Sequence, residues 1–84
     1  MTEEAIYGRL RTFICQELLH RPNYPLEPET SLIAGGLIDS FSLVQIGFFV
    51  EDEFQVRIPD KDFNVENLDT LQAISHYVVK ALHR

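Results

Sequence analysis

Between His20 and Ile38 the chain carries Pro22, Pro25, Pro28, Gly35 and Gly36, a density of breakers that excludes any regular element there. Each proline removes a backbone donor and disfavours a helical residue before it. The segment therefore splits the sequence into two parts that must fold against each other across a long connection. Loops beyond about 12–15 residues are uncommon in compact domains and are often functional. Leu26, Leu32, Ile33 and Leu37 are spread through this one, and they predict that it is pinned onto its neighbours.

On either side, apolar residues recur every three or four positions, the period of an amphipathic helix. Thr2 to Leu19 reads as the first helix, with Thr2 as N-cap and Glu3 and Glu4 in the first turn, where the helix dipole favours acids. Ile6, Leu10, Phe13, Ile14 and Leu18 form its stripe, which leaves Cys15 on the opposite side as a partly exposed thiol. Pro22 stops the helix near Arg21.

A second helix starts at Asp39 or Ser40 and runs to Glu53 or Phe54. At about 100° per residue, Leu43, Gly47, Val50 and Phe54 share the core face, with Val44 and Ile46 at its margins. Phe41, Phe48 and Asp52 fall on a different face, beside Gln45 and Phe49, so two or three phenylalanines point away from the core. Gly47 costs about 1 kcal/mol relative to alanine inside a helix, and it needs a reason such as close packing or room for a guest.

After Ile58-Pro59-Asp60, a short helix is expected from Lys61 to Val65 with Phe63 as its apolar contact. Thr70 then caps a last helix carrying Leu71, Ile74, Tyr77, Val78 and Ala81, which reaches Leu82. No strand alternation appears. The expected fold is all-α: a small antiparallel four-helix bundle of three main helices and one short helix, forming one domain over residues 1–84.

Charge and composition narrow the function. Thirteen acids against seven bases give a net charge of −6, which disfavours nucleic acid and anionic lipid and favours basic protein surfaces. One cysteine allows no internal disulfide. No run approaches the ~20 apolar residues of a membrane span, and the acidic start is unlike a signal peptide, so a cytoplasmic monomer is expected.

Familiar catalytic and metal patterns fail. His20, His76 and His83 show no i, i+4 pairing. Glu51-Asp52-Glu53 with Asp60 and Asp62 lacks the twelve-residue calcium ladder and its central glycine, which leaves a solvated acidic face. A serine nucleophile at Ser40 would need a base beside it, and no histidine lies near it in sequence.

The helix start at Asp39-Ser40 remains. Both are N-cap types, so a purely structural role is the simple reading. Yet a phosphate ester on a serine at that position would meet free backbone N–H groups and the positive end of the helix dipole. The site can hold a phosphodiester in the open, beside an exposed aromatic patch.

With these residues in place, the sequence resembles the acyl carrier proteins and their peptidyl and D-alanyl relatives. The likeness rests on Gly36-Leu37-Ile38-Asp39-Ser40-Phe41-Ser42-Leu43, on Val44 and Val50, on Glu51-Asp52-Glu53-Phe54, on Ile58-Pro59 and on Leu68-Asp69-Thr70-Leu71. Asp-Ser alone is a weak signal, but these motifs at matching distances cover nearly the whole chain. The resemblance implies that Ser40 carries 4′-phosphopantetheine, transferred from coenzyme A by a phosphopantetheinyl transferase using magnesium, and that Asp39 helps that enzyme recognise the site. The arm would hold an acyl or aminoacyl group as a thioester for partner enzymes, and the carrier itself would catalyse nothing. Phe41, Gln45, Phe48, Glu51 and Asp52 match the partner-facing positions of helix two. A chain could be sheltered between helices two and three.

Three departures bear on the cargo. Ser42 and Gln45 are neutral where fatty-acid carriers place acids, and Phe41 replaces the usual leucine. Phe48, Phe49 and Gly47 make this helix unusually aromatic. They point to a stand-alone carrier in a dedicated lipid, polyketide or non-ribosomal peptide pathway, served by its own loading ligase or synthase and by acyltransferases. The alternatives are a D-alanyl carrier for cell-wall polymers, and an unmodified interaction module using the aromatic and acidic face of helix two.

Overall fold

A computed structural model describes residues 2–83. Its helices are α1 (Glu3–Phe13), α2 (Ser40–Phe54), α3 (Val65–Leu68) and α4 (Leu71–Leu82). Ile14–Leu18 forms a π-helical turn and Asp60–Asp62 a 3₁₀ turn. No strand occurs among the described residues, and the all-α bundle expected from the sequence is what forms.

The helix starts follow the capping chemistry. Thr2, Asp39 and Thr70 each adopt extended backbone and accept from the N–H three residues on, at Ala5, Ser42 and Ala73. Asn64 does the same for α3 through Asn67. The core joins Ile6, Leu10 and Ile14 to Leu43, Ile46, Val50 and Phe54 of α2 and to Leu71, Ile74 and Val78 of α4. These are the stripes that the spacing picks out, except that Ile46, expected at the margin of the α2 core face, is fully buried.

The first helix departs from expectation beyond Phe13, where it widens into the π turn and Leu19 N–H reaches Ile14 C=O at 2.9 Å. His20, in left-handed conformation, ends it, and Arg21 N–H closes back on Cys15 C=O at 2.8 Å. Cys15, expected to be partly exposed, is fully buried. The following chain covers it. Tyr24 C=O lies 3.8 Å from Cys15 Sγ and accepts from Arg11 Nη2 at 2.8 Å, while Arg11 Nε reaches Leu26 C=O at 3.3 Å.

The short helix is displaced as well. The 61–65 segment is split: Lys61 lies in the 3₁₀ turn, Phe63 lies between the two elements, and α3 begins only at Val65. Asn64 explains the shift, because its side chain caps α3 and fixes the first helical residue at Val65, four residues beyond the expected start. Phe63 packs its ring against Gly47. A Cβ on Gly47 would come within 2.9 Å of Phe63 Cζ and closer still to Cε2. Close packing accounts for this glycine, and the Phe63 ring fills the space that it leaves.

The long connection is pinned, as its apolar residues predict. Leu26, Leu32 and Ile38 are buried, and Ile33 and Leu37 pack partly against the core. Gly36 takes φ 80°, a conformation that favours glycine.

Candidate functional site

The site is the junction between that connection and α2. Asp39 is the cap: its Oδ1 accepts from Ser42 N–H at 3.0 Å and lies 3.2 Å from Ser42 Oγ. Ser40 is the first helical residue and is exposed. On either side of it, Ile38 and Leu43 are buried, so an exposed hydroxyl stands on a backbone anchored in the core at both flanks. Asp39 takes the Ser42 N–H, and the N–H groups of Ser40 and Phe41, which precede it in the first turn of α2, have no intrahelical acceptor. They and the dipole favour an anion on the Ser40 oxygen. A phosphodiester therefore fits the residues present.

Downstream, Phe41 is 81% exposed, Val44 44% and Phe48 65%. The spacing i, i+3, i+7 places them along one face, an apolar ridge leading away from Ser40. Val44, expected at the margin of the core face, belongs to this ridge, because Leu43 and Ile46 already fill the interior. Phe49, expected beside Phe41 and Phe48, instead turns partly inward. It stacks on Phe13 at a centroid distance of 4.2 Å and meets the edge of Phe54 at 5.9 Å. Only two helix-two phenylalanines thus stand free of the core.

Gln45, Glu51 and Asp52 are exposed, and α2 contains no lysine or arginine. Between α2 and the end of the first helix lies an open groove floored by Phe13, Leu18 and Phe49 and rimmed by Glu17, Glu51 and Asp52. The surface is apolar in its centre and negative at its edge. It suits a partner of opposite character.

One residue outside the expected set belongs to this region. Asp69 Oδ2 accepts from Ser31 Oγ at 2.5 Å, and Oδ1 accepts from the N–H groups of Ile33 and Ala34 at 2.6 and 3.1 Å. Its main-chain carbonyl takes Leu32 N–H at 2.7 Å. Partial burial pushes the Asp69 carboxyl up, but donation from Ser31, Ile33, Ala34 and Leu32 outweighs that, and the net shift is below the ordinary 3.8. The sequence presents Asp69 only as part of a helix start. What could have flagged it is that Thr70 already supplies the cap, which leaves the acid without a local task.

Comparison with known proteins was consistent along the chain. The family described as "phosphopantetheine attachment site" matches residues 9–78. An acyl carrier protein of Bdellovibrio bacteriovorus is 32% identical over 76 residues, 90% of this chain and 94% of that protein. One from Thermobifida fusca is 34% identical over 67 residues, 80% of this chain and 82% of the relative. One from Acidothermus cellulolyticus is 34% identical over 79 residues, 94% of this chain and 89% of the relative. The chain belongs to the phosphopantetheine-attachment family of acyl carrier proteins, and the group it takes is covalent 4′-phosphopantetheine.

Proposed function

We propose that Ser40 is the attachment residue, and that the chain delivers acyl or aminoacyl groups between enzymes of a dedicated biosynthetic pathway. The observation that carries this reading is the placement of Ser40. It is an exposed hydroxyl at the start of α2, inside the matched region, with both flanks fixed by Ile38 and Leu43. When bound, the group supplies a terminal thiol that holds the cargo as a thioester.

The chain's own residues do the rest. Asp39 holds the first turn of α2 and offers a carboxylate beside the serine to a phosphopantetheinyl transferase, which supplies coenzyme A and magnesium. Helix-dipole and N–H groups stabilise the phosphodiester by about 0.3–1 kcal/mol. Phe41 and Phe48 offer apolar contact to partners, Gln45 a neutral polar one, and Glu51 and Asp52 attract basic rims. The neutral Ser42 and Gln45 near the attachment point support a pathway other than housekeeping fatty-acid synthesis. A separate ligase or synthase loads the cargo in the cytoplasm, where coenzyme A and the transferase are found. No helix among the described residues is long and apolar enough to cross a membrane.

The test is incubation with coenzyme A, magnesium and a broad-specificity transferase, followed by peptide mapping. The modified peptide should contain Ser40, and modification at any other serine overturns the assignment.

A further inference from the structure

We propose that Asp69 is a positioning residue for modification at Ser40: it holds residues 31–38 in the shape that presents the serine to the transferase. The inference rests on Ser40 being the attachment residue and adds a determinant 29 positions away in sequence.

Asp69 sits at the junction of α3 and α4, between Leu68 and Leu71, which are fully buried. Its backbone is therefore held by the core. Its carboxylate has no capping duty, because Thr70 Oγ1 receives Ala73 N–H at 3.0 Å and closes the start of α4. Both carboxylate oxygens are turned to the loop, accepting from Ser31 Oγ, Ile33 N–H and Ala34 N–H.

The hydrogen bonds continue to the site without a gap. Leu32 N–H donates to Asp69 C=O at 2.7 Å, Ile38 N–H donates to Leu32 C=O at 2.9 Å, and Gly36 N–H donates to Ile33 C=O at 3.0 Å. The segment is closed on itself at Leu32 and Ile38 and tied to the α3–α4 junction at Asp69. Ile38 is bonded in sequence to Asp39, the cap, and Asp39 to Ser40. The angle at which α2 begins is thus set through Leu32 by the Asp69 main chain, while the Asp69 carboxylate fixes the residues on either side of Leu32, at Ser31, Ile33 and Ala34.

Without the carboxylate, the loop keeps these three main-chain bonds but loses its hold on Ser31, Ile33 and Ala34 and samples more shapes. Only a fraction of molecules then offers Ser40 in the form that the transferase binds, and apparent affinity falls by that fraction. Once bound, the complex is unchanged. The loss therefore appears in KM for the carrier and leaves kcat in place.

The experiment measures transferase kinetics against carrier concentration for the full chain and four variants. Asp69→Ala should raise KM about tenfold, with kcat within about twofold. Asp69→Asn should stay within about threefold of wild type, because its amide oxygen still accepts from Ile33 and Ala34 and its amide N–H can donate to the Ser31 hydroxyl. Ser31→Ala, which removes one bond, should raise KM about threefold. Val78→Ala, a core truncation on α4, should lower thermal stability and leave KM unchanged. Two results overturn the inference: Asp69→Ala or Ser31→Ala at wild-type KM, or a rise in Val78→Ala equal to theirs. If Asp69→Ala does not fold, Ser31→Ala against Val78→Ala decides alone. An unmodified wild-type chain refutes the attachment reading and this inference with it, whereas a modified wild type with unaltered variants refutes this inference only.

Discussion

The ring of Phe63 fills the notch that Gly47 leaves in α2, so that a Cβ at position 47 would lie 2.9 Å from Phe63 Cζ. Glycine at this helical position is a packing requirement across 16 residues of sequence. Gly47→Ala gains about 1 kcal/mol of helix propensity but must displace the ring, at about 1–3 kcal/mol. The net effect in urea unfolding should be destabilising or neutral. In a Phe63→Ala background the clash is gone, and the same change should stabilise by about 1 kcal/mol. A stabilising Gly47→Ala in the wild-type background contradicts the packing.

Asp39 combines two tasks that one pair of variants separates. Asp39→Ala removes the acceptor for Ser42 N–H and should cost about 1 kcal/mol in urea unfolding. Asp39→Asn keeps the acceptor and should lose only a few tenths. If the transferase reads the carboxylate itself, Asp39→Asn nonetheless lowers kcat/KM for modification. Equal modification of Asp39→Asn and wild type would leave Asp39 as a cap alone.

The Asp69 clasp carries a pH signature. Its carboxyl titrates below its ordinary 3.8 in the folded chain, so the unfolded chain binds more protons between the two values, and stability rises with pH there. The stabilisation is complete above the unfolded value and is lost as pH falls through the folded one. The stability difference between wild type and Asp69→Ala should be constant from pH 7 to about 5 and shrink below about 4. A difference that grows on acidification contradicts the net direction of the shift.

Cys15 is fully buried beneath the Tyr24 carbonyl. In a Ser40→Ala chain, which lacks the proposed attachment hydroxyl, a disulfide reagent should label Cys15 at least about 100-fold more slowly than in unfolded protein, because access requires an opening of about 3 kcal/mol or more. Labelling at the unfolded rate would place this thiol on the surface.

These residues also mark what the sequence displays and what it hides. Helix starts at Thr2, Asp39 and Thr70 are legible because a cap acts on the N–H three residues on. The core stripes are legible because helical period is local. The burial of Cys15 is not legible, because it depends on a loop that returns nine residues later and is not written in the spacing. Asn64 is a usable cap signal for α3, but the Pro59 turn is the stronger local mark and suggests an earlier start. Asp69 and Phe63 meet partners 38 and 16 residues away. An acid before a helix or a lone phenylalanine in a turn does not name such partners. Helical spacing alone puts Phe41 and Phe48 off the core, where they lie, whereas Phe49 is captured by Phe13 from another helix.

The central claim is that Ser40 accepts one phosphopantetheinyl group. Intact mass after incubation with coenzyme A, magnesium and a broad-specificity transferase tests it directly, with Ser40→Ala and a no-transferase sample alongside. The account predicts a single addition of one phosphopantetheinyl mass to the wild-type chain and none to Ser40→Ala or to the sample without enzyme. No addition with several transferases, or an equal addition to Ser40→Ala, would contradict it.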